Sequence, residues 1–220
     1  MGDDLVLYIG EKNISSWSMR GWLAVQHKGL PFEERTIELR QDKDRAQRRR
    51  VSPTGRLPVL HHGDRLIPDS LAIIEYLEET FPPPARQALW PREPEARAHA
   101  RWLAATMHSG FTKLRESMSF NLCFLPKPPA PAPEALQEAD EMLRLLQDTL
   151  GRARDGGPFL FGAFGAADIM YAPAIVRLTS FRVPTAGAPA TPRYMEAVLS
   201  QPLVKRWMDA ARALPPFETY

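Results

Sequence analysis

The sequence predicts a small α/β unit with a mixed sheet followed by an all-α helical bundle, and three observations carry that prediction. Residues 5–80 alternate between short apolar runs and helix-spaced apolar residues. Prolines then repeat in FPPPARQALWPREP at 81–94, a stretch with no periodicity that could be buried. Beyond it strand signals vanish and long amphipathic stretches take over. The expected organisation is a first domain over 1–81, a proline-rich linker over 82–94 and a helical domain over 95–220, and 220 residues suit one large domain or two small ones.

Leu5-Val6-Leu7-Tyr8-Ile9 is a short buried-strand pattern. Residues 17–28 carry apolar side chains at helical spacing, and Gly29 stops them. A second strand is expected around 32–39, and the polar, basic stretch 42–50 forms a short surface helix. Leu57-Pro58-Val59-Leu60-His61 and Arg65-Leu66-Ile67, separated by His62-Gly63-Asp64, give a hairpin signal. Helix returns at Ser70, a suitable N-cap, with Leu71, Ile74 and Leu77 on one apolar face. The order is β-α-β-α-β-β-α. In the second half, helices are expected over 95–124, 134–154, 166–181, 194–199 and 203–214, the first two separated by LPKPPAPAP at 125–133. There is no internal repeat.

Composition excludes several classes. At 44% hydrophobic and 25% charged residues the chain fits neither a disordered protein nor a membrane channel. No apolar run approaches the roughly 18 residues of a membrane span. The start, MGDDLVLYIG, has acids where a secretory signal has lysine or arginine, so a cytoplasmic protein is expected. A single cysteine, Cys123, excludes an internal disulfide and any CxxC module, and between Leu122 and Phe124 it reads as packing. A net charge of +2, from 28 basic and 26 acidic residues, is too balanced for a dedicated nucleic-acid binder. The local exception is 43–50, with five basic residues against one acid. No HExxH, GxSxG, P-loop or dinucleotide fingerprint is present, and no metal is expected.

Three segments, taken together, resemble the glutathione S-transferase superfamily. Asn13-Ile14-Ser15-Ser16-Trp17-Ser18-Met19-Arg20 is similar to the serine-bearing SSCSxR motif of its zeta class, with tryptophan in place of cysteine. Ser52-Pro53-Thr54-Gly55-Arg56-Leu57-Pro58-Val59-Leu60 resembles the segment ending in a cis-proline. Asp69-Ser70-Leu71-Ala72-Ile73-Ile74-Glu75-Tyr76-Leu77 resembles the acid-and-serine motif that opens the third helix. Met107 to Arg115 looks like a segment of a bacterial branch of undefined substrate. Gly162 to Tyr171 resembles the family's helix-capping segment, with Gly165 where Ser or Thr is usual.

The resemblance implies a thioredoxin-like first domain that binds glutathione as co-substrate, and a homodimer. Glutathione has a thiol of pKa roughly 8.5 that must be lowered. A serine at a helix start can donate to the sulfur where the helix terminus adds positive potential. Ser15 is the favoured activator; Ser16 and Ser18 share its turn, and all three could equally be caps. The resemblance implies that Leu57, before a cis Pro58, pairs its backbone with the cysteinyl unit, and that Asp69 and Ser70 receive the γ-glutamyl end. Lys43, Arg45, Arg48 and Arg49 are candidates for the glycyl carboxylate. His108, Ser109, Phe111 and Arg115, on one side of the first long helix, are candidates for a small electrophile, and an interdomain ion pair or dimer contact is the alternative for them. The expected activity is transfer of glutathione to that electrophile; a zeta-like cis–trans isomerase of a small dicarboxylate, or a non-catalytic glutathione- or protein-binding member, are the alternatives.

Overall fold

The computed structural model describes residues 4–39, 43–84, 86–152 and 157–217. Two compact units result, Met1–Leu89 with Trp207–Tyr220, and Trp90–Arg206.

The first unit is built on a four-stranded mixed sheet. Strands β1 (Leu5–Ile9), β2 (Glu33–Thr36), β3 (Val59–His62) and β4 (Arg65–Pro68) lie in the order β2-β1-β3-β4. β1 pairs parallel to β2, with Val6 opposite Glu33, and antiparallel to β3, with Leu7 opposite Leu60; β3 and β4 form the hairpin. A parallel pair needs a crossover, and α1 (Ser16–His27) supplies it. β2 is shorter than the sequence suggests and all four of its residues are exposed. Its Glu33, Glu34 and Arg35 put charge along an edge strand, where it discourages pairing with another chain. The alternation of β1 buries Leu5, Leu7 and Ile9. Helix α1 packs with α3 (Ser70–Thr80) through buried faces that include Met19, Leu23, Ile73 and Leu77. Ile37, Leu57 and Val59 form a further cluster with Tyr8, Leu39 and Val51, the last at the end of α2 (Lys43–Val51).

The linker is not wholly solvated, contrary to what its prolines suggest. Leu89 and Trp90 are buried. Lys28, whose side chain is 0% exposed, pairs with Glu78 and donates to the Phe81 carbonyl at 2.9 Å. Glu78 also accepts the Leu89 N–H at 3.0 Å, and His27 bonds the Ala88 carbonyl at 3.1 Å. Such contacts satisfy a buried charge and fix the chain's exit from α3 at once.

The second unit is helical: α4 (Pro94–Ser109), α5 (Thr112–Ser117), a 3₁₀ turn (Phe120–Phe124), α6 (Pro133–Arg152), α7 (Ala166–Ser180) and α8 (Thr191–Ser200), with α9 (Pro202–Arg212) beginning here and ending in the first unit. The expected single helix over 95–124 is broken. Gly110 caps α4, and Phe111 takes a left-handed conformation with φ of 56°, so the chain bends there. α7 is buried from Ala166 to Leu178 and packs against α4 and α8. No helix among the described residues is long and apolar enough to cross a membrane.

α7 starts as the sequence suggests. Gly165 is the N-cap, and Asp168 reaches back to accept its N–H at 3.0 Å and the Leu160 N–H at 3.1 Å. Glycine supplies no side-chain acceptor, so only this half of a capping box exists. Burial pushes the Asp168 carboxyl up to about 7, against the opposing pull of those two N–H groups. A folded pKa above the ordinary 3.8 means that the native state binds more protons, so this group's contribution to stability declines as pH rises between those values. The stability of the wild type relative to Asp168→Asn, from urea unfolding at a series of pH values, is expected to fall from about pH 4 to about pH 7 and then level off. A difference independent of pH would show that the carboxyl titrates normally.

Candidate functional site

Three sequence-predicted segments converge in the first unit. Ser15 is the N-cap of α1: its φ of −92° and ψ of 92° are extended, and its Oγ accepts the Ser18 N–H at 3.2 Å. Ser15 and Ser18 hydroxyls are 2.8 Å apart, and Ser18 Oγ accepts the Gly10 N–H at 3.0 Å. Ile14 and Ser15 close the preceding turn by donating to the Glu11 carbonyl at 3.0 and 2.9 Å. Capping uses a lone pair of Ser15 Oγ, and its proton is donated to Ser18 Oγ; turning that proton to a ligand leaves the cap intact, so cap and thiol donor are compatible roles. Ser18, at 0% exposure, lies inside that network, and Ser16 occupies the first helical position.

The Leu57-Pro58 peptide is cis. Leu57 buries its side chain among Ile37 and Val59. Among the described residues no hydrogen bond engages its N–H or C=O. Pro58 joins the other two segments. Its carbonyl accepts the Asp69 N–H at 3.4 Å, and its ring sits so close to α1 that a Cβ on Gly21 would lie 2.9 Å from Pro58 Cγ. A glycine within a helical pattern is the sequence sign of such an approach.

At the start of α3 the roles of Asp69 and Ser70 differ from expectation: Asp69, not Ser70, is the N-cap. Asp69 has φ of 83°, rare outside glycine, and its Oδ1 accepts the Leu71 and Ala72 N–H groups at 2.8 and 3.2 Å. A carboxylate neutralises two of the orphan amides of a helix start as well as a serine does. Ser70 is thereby relieved of capping. Ser70 is 1% exposed, and among the described residues neither its Oγ nor its N–H has a hydrogen-bond partner. A buried hydroxyl beside an unengaged helix amide is a ready pair of donors for an anion.

Of the basic candidates, Arg48 is tied to the Gly55 and Glu38 carbonyls at 3.3 and 3.4 Å. Arg45 and Arg49 are exposed on α2 and make no ion pair among the described residues, and the side chain of Lys43 lies outside the described residues. In the second unit the bend after α4 splits the other group. His108 and Ser109 close α4, Phe111 forms the bend, and Arg115 lies on α5. Arg115 donates to the Met107 and His108 carbonyls at 3.2 and 3.3 Å, a cation placed at a helix C-terminus. Burial lowers its pKa. Burial also pushes the Cys123 thiol up to about 11, as suits a packed rather than a reactive cysteine. No group of three or more metal-ligating side chains occurs among the described residues.

Residues 11–85 match the glutathione S-transferase N-terminal domain, and residues 101–210 match the glutathione S-transferase C-terminal domain. The chain belongs to the glutathione S-transferase family. Among relatives of this family, the maleylacetoacetate isomerase of Rattus norvegicus is 28% identical over 199 residues, 89% of this chain and 88% of that one. A probable maleylacetoacetate isomerase of Caenorhabditis elegans is 34% identical over 109 residues, 50% of this chain and 49% of that one. Several of the relatives are thus matched over about half their length or less. A solved glutathione transferase homolog from Burkholderia, with bound glutathione, superposes with a TM-score of 0.72 at 29% identity, covering 96% of this chain and 100% of that one. A zeta-class maleyl pyruvate isomerase shares the fold, with a TM-score of 0.73 at 22% identity over 94% of this chain and 98% of that one.

The two serines at the heart of this geometry should respond oppositely to truncation. Ser18→Ala strands the buried Gly10 N–H and is expected to cost roughly 1–3 kcal/mol of folding stability. Ser70→Ala removes a hydroxyl with no internal partner and is expected to leave stability within about 0.5 kcal/mol of wild type or to raise it. Urea unfolding of both variants is the check, and equal losses would mean that Ser70 has an internal role.

Proposed function

We propose that the chain is a glutathione transferase in which Ser15 favours the thiolate of glutathione for attack on a small electrophile. The observation that carries the reading is the buried Ser70 hydroxyl, which has no hydrogen-bond partner among the described residues. Native proteins satisfy the great majority of their buried polar groups, and the γ-glutamyl carboxylate would accept from both Ser70 Oγ and Ser70 N–H. The backbone of Leu57 offers one donor and one acceptor to the cysteinyl unit. Those contacts direct the sulfur to the start of α1. There Ser15 donates its proton in a hydrogen bond while still accepting from Ser18 N–H, and the helix terminus favours negative charge. With the Ser15 proton turned to sulfur, Ser18 Oγ–H can donate to Ser15 Oγ, and Gly10 N–H backs Ser18. A chain of hydrogen bonds polarised in one direction makes the terminal donor stronger. Lys43, Arg45 and Arg49 are the candidates for the glycyl carboxylate, and Arg45 and Arg49 make no ion pair among the described residues. His108, Phe111 and Arg115 are the candidates for the second substrate, with Arg115 already holding the end of α4.

A second reading, isomerisation of a small dicarboxylate, is favoured by the rat and nematode relatives. A thiolate that adds to a conjugated double bond leaves a single bond free to turn. Expelling the thiolate from the same carbon then restores glutathione, and atoms balance. Ser15 would serve either reaction. Mass spectrometry separates them, since transfer yields an adduct heavier by glutathione and isomerisation a product of unchanged mass.

For Ser15→Ala, the bound thiol's pKa, followed by thiolate absorbance against pH, is expected to rise. The rate at neutral pH should fall by at most the 10²–10³-fold typical of losing one preorganised donor. Ser70→Ala is expected instead to weaken glutathione binding by about tenfold or more in calorimetry, since a hydrogen bond to a charged group is worth roughly 1.5–3 kcal/mol. Wild-type protein that gives no heat with glutathione would sink the reading. A cytoplasmic homodimer completes it, in keeping with the commonest soluble assembly. Light scattering should return the mass of two chains, and the mass of one would refute the dimer.

A further inference from the structure

The turn that carries Ser15 is held at two points by chain from the far end of the sequence. The Trp207 indole N–H donates to the Lys12 carbonyl at 3.1 Å, and the Asn13 side-chain amide donates to the Pro215 carbonyl at 2.8 Å. Lys12 and Asn13 stand three and two residues before Ser15. Trp207 is fully buried, meeting Trp22 of α1 edge-on with ring centroids 5.4 Å apart. The Lys12 ammonium lies 5.6 and 5.5 Å from those two ring centroids. Glu34 closes the arrangement by accepting from both Lys12 Nζ and Trp22 Nε1. A buried aromatic box therefore sits directly beside the N-cap turn, and two hydrogen bonds, one from its Trp207 to the Lys12 carbonyl and one from the Asn13 side chain to the tail, hold that turn. This is why Trp207–Tyr220 groups with the first unit.

We propose that the segment from Trp207 to Pro215 is a latch that sets the position of the Ser15 hydroxyl, with Trp207 and Asn13 as its positioning residues. Neither touches substrate. Both act through the Glu11–Ile14 turn, whose carbonyl at Glu11 fixes the Ser15 amide. The proposal rests on the reading of Ser15 as thiol activator. Misplacing a reacting group by 1 Å can cost about 10²-fold in rate, so a loose turn would matter even with every group present.

Two variants of the full chain test it: Trp207→Phe, which keeps an aromatic ring but removes the N–H, and Asn13→Ala, which touches only the tail contact. Without glutathione, hydrogen exchange at the Ile14 and Ser15 amides is expected to quicken by about tenfold, as local opening becomes easier. With glutathione, the bound thiol's pKa should rise and kcat fall by about tenfold, inside the ~10²-fold range of misplacement, while KM for glutathione changes less than about twofold. In a Ser15→Ala background the same substitutions should leave the thiol pKa where Ser15→Ala puts it. Unchanged exchange together with an unchanged thiol pKa would overturn the latch. So would a further, additive rise in the Ser15→Ala background, because the residues would then act elsewhere. A Ser15→Ala protein with the wild-type thiol pKa would sink the assignment of Ser15 instead. The exchange measurement, made without ligand, tells the two failures apart.

Discussion

The close approach of α1 to Pro58 is the contact on which the candidate site depends. Gly21 leaves no room for a Cβ against the proline ring, and the same proline holds Asp69 through its carbonyl. One residue thus ties a helix carrying Ser15 to a turn offering Leu57 and to the helix opened by Ser70. The groups offered to a ligand are mostly backbone N–H and C=O and small hydroxyls. Such groups have no reach, so their usefulness depends on the frame being fixed to a fraction of an ångström. A frame built of a proline, a glycine and a positive-φ aspartate has few soft side chains with which to drift.

The elements of the first unit were legible because each follows from a local pattern. The short apolar run at 5–9, the glycine-bearing gap at 62–64 and the helix-spaced residues of 17–28 and 70–78 each point to one secondary structure. What the sequence hid was decided by contacts between distant residues. The break after Ser109 turns on Phe111 adopting a left-handed conformation, which nothing about phenylalanine favours. Leu89 is held because its N–H donates to Glu78, itself paired with Lys28 across 50 residues. The end of α9 joins the first unit through Trp207, 195 residues from the carbonyl it meets.

The site shows the same division. Serine, aspartate and proline in those places all have ordinary capping or turn uses, and it is their order and spacing that singles them out. The allocation of roles was not. Ser70 looks like a cap from the sequence, since serine before an apolar run is a strong capping signal. Aspartate one residue earlier competes for the same amides and, as a charged acceptor near a helix N-terminus, wins. The serine is then buried without a hydrogen-bond partner among the described residues, which is what makes it a donor to glutathione in the proposed function.

The same economy applies to Ser15. A hydroxyl has one proton and two lone pairs, so it can close a helix with one lone pair and still give its proton away. Capping fixes the oxygen, which lowers the cost of holding the proton toward a thiolate. Under the proposed role of Ser15, structural and chemical functions reinforce each other at this position, and the choice between conjugation and isomerisation is left to whatever stands opposite the sulfur. A thiolate made stable at neutral pH adds to an electrophile in either case. What decides the product is whether the adduct's carbon can hand the electron pair back, a property of the second substrate and of the residues that grip it.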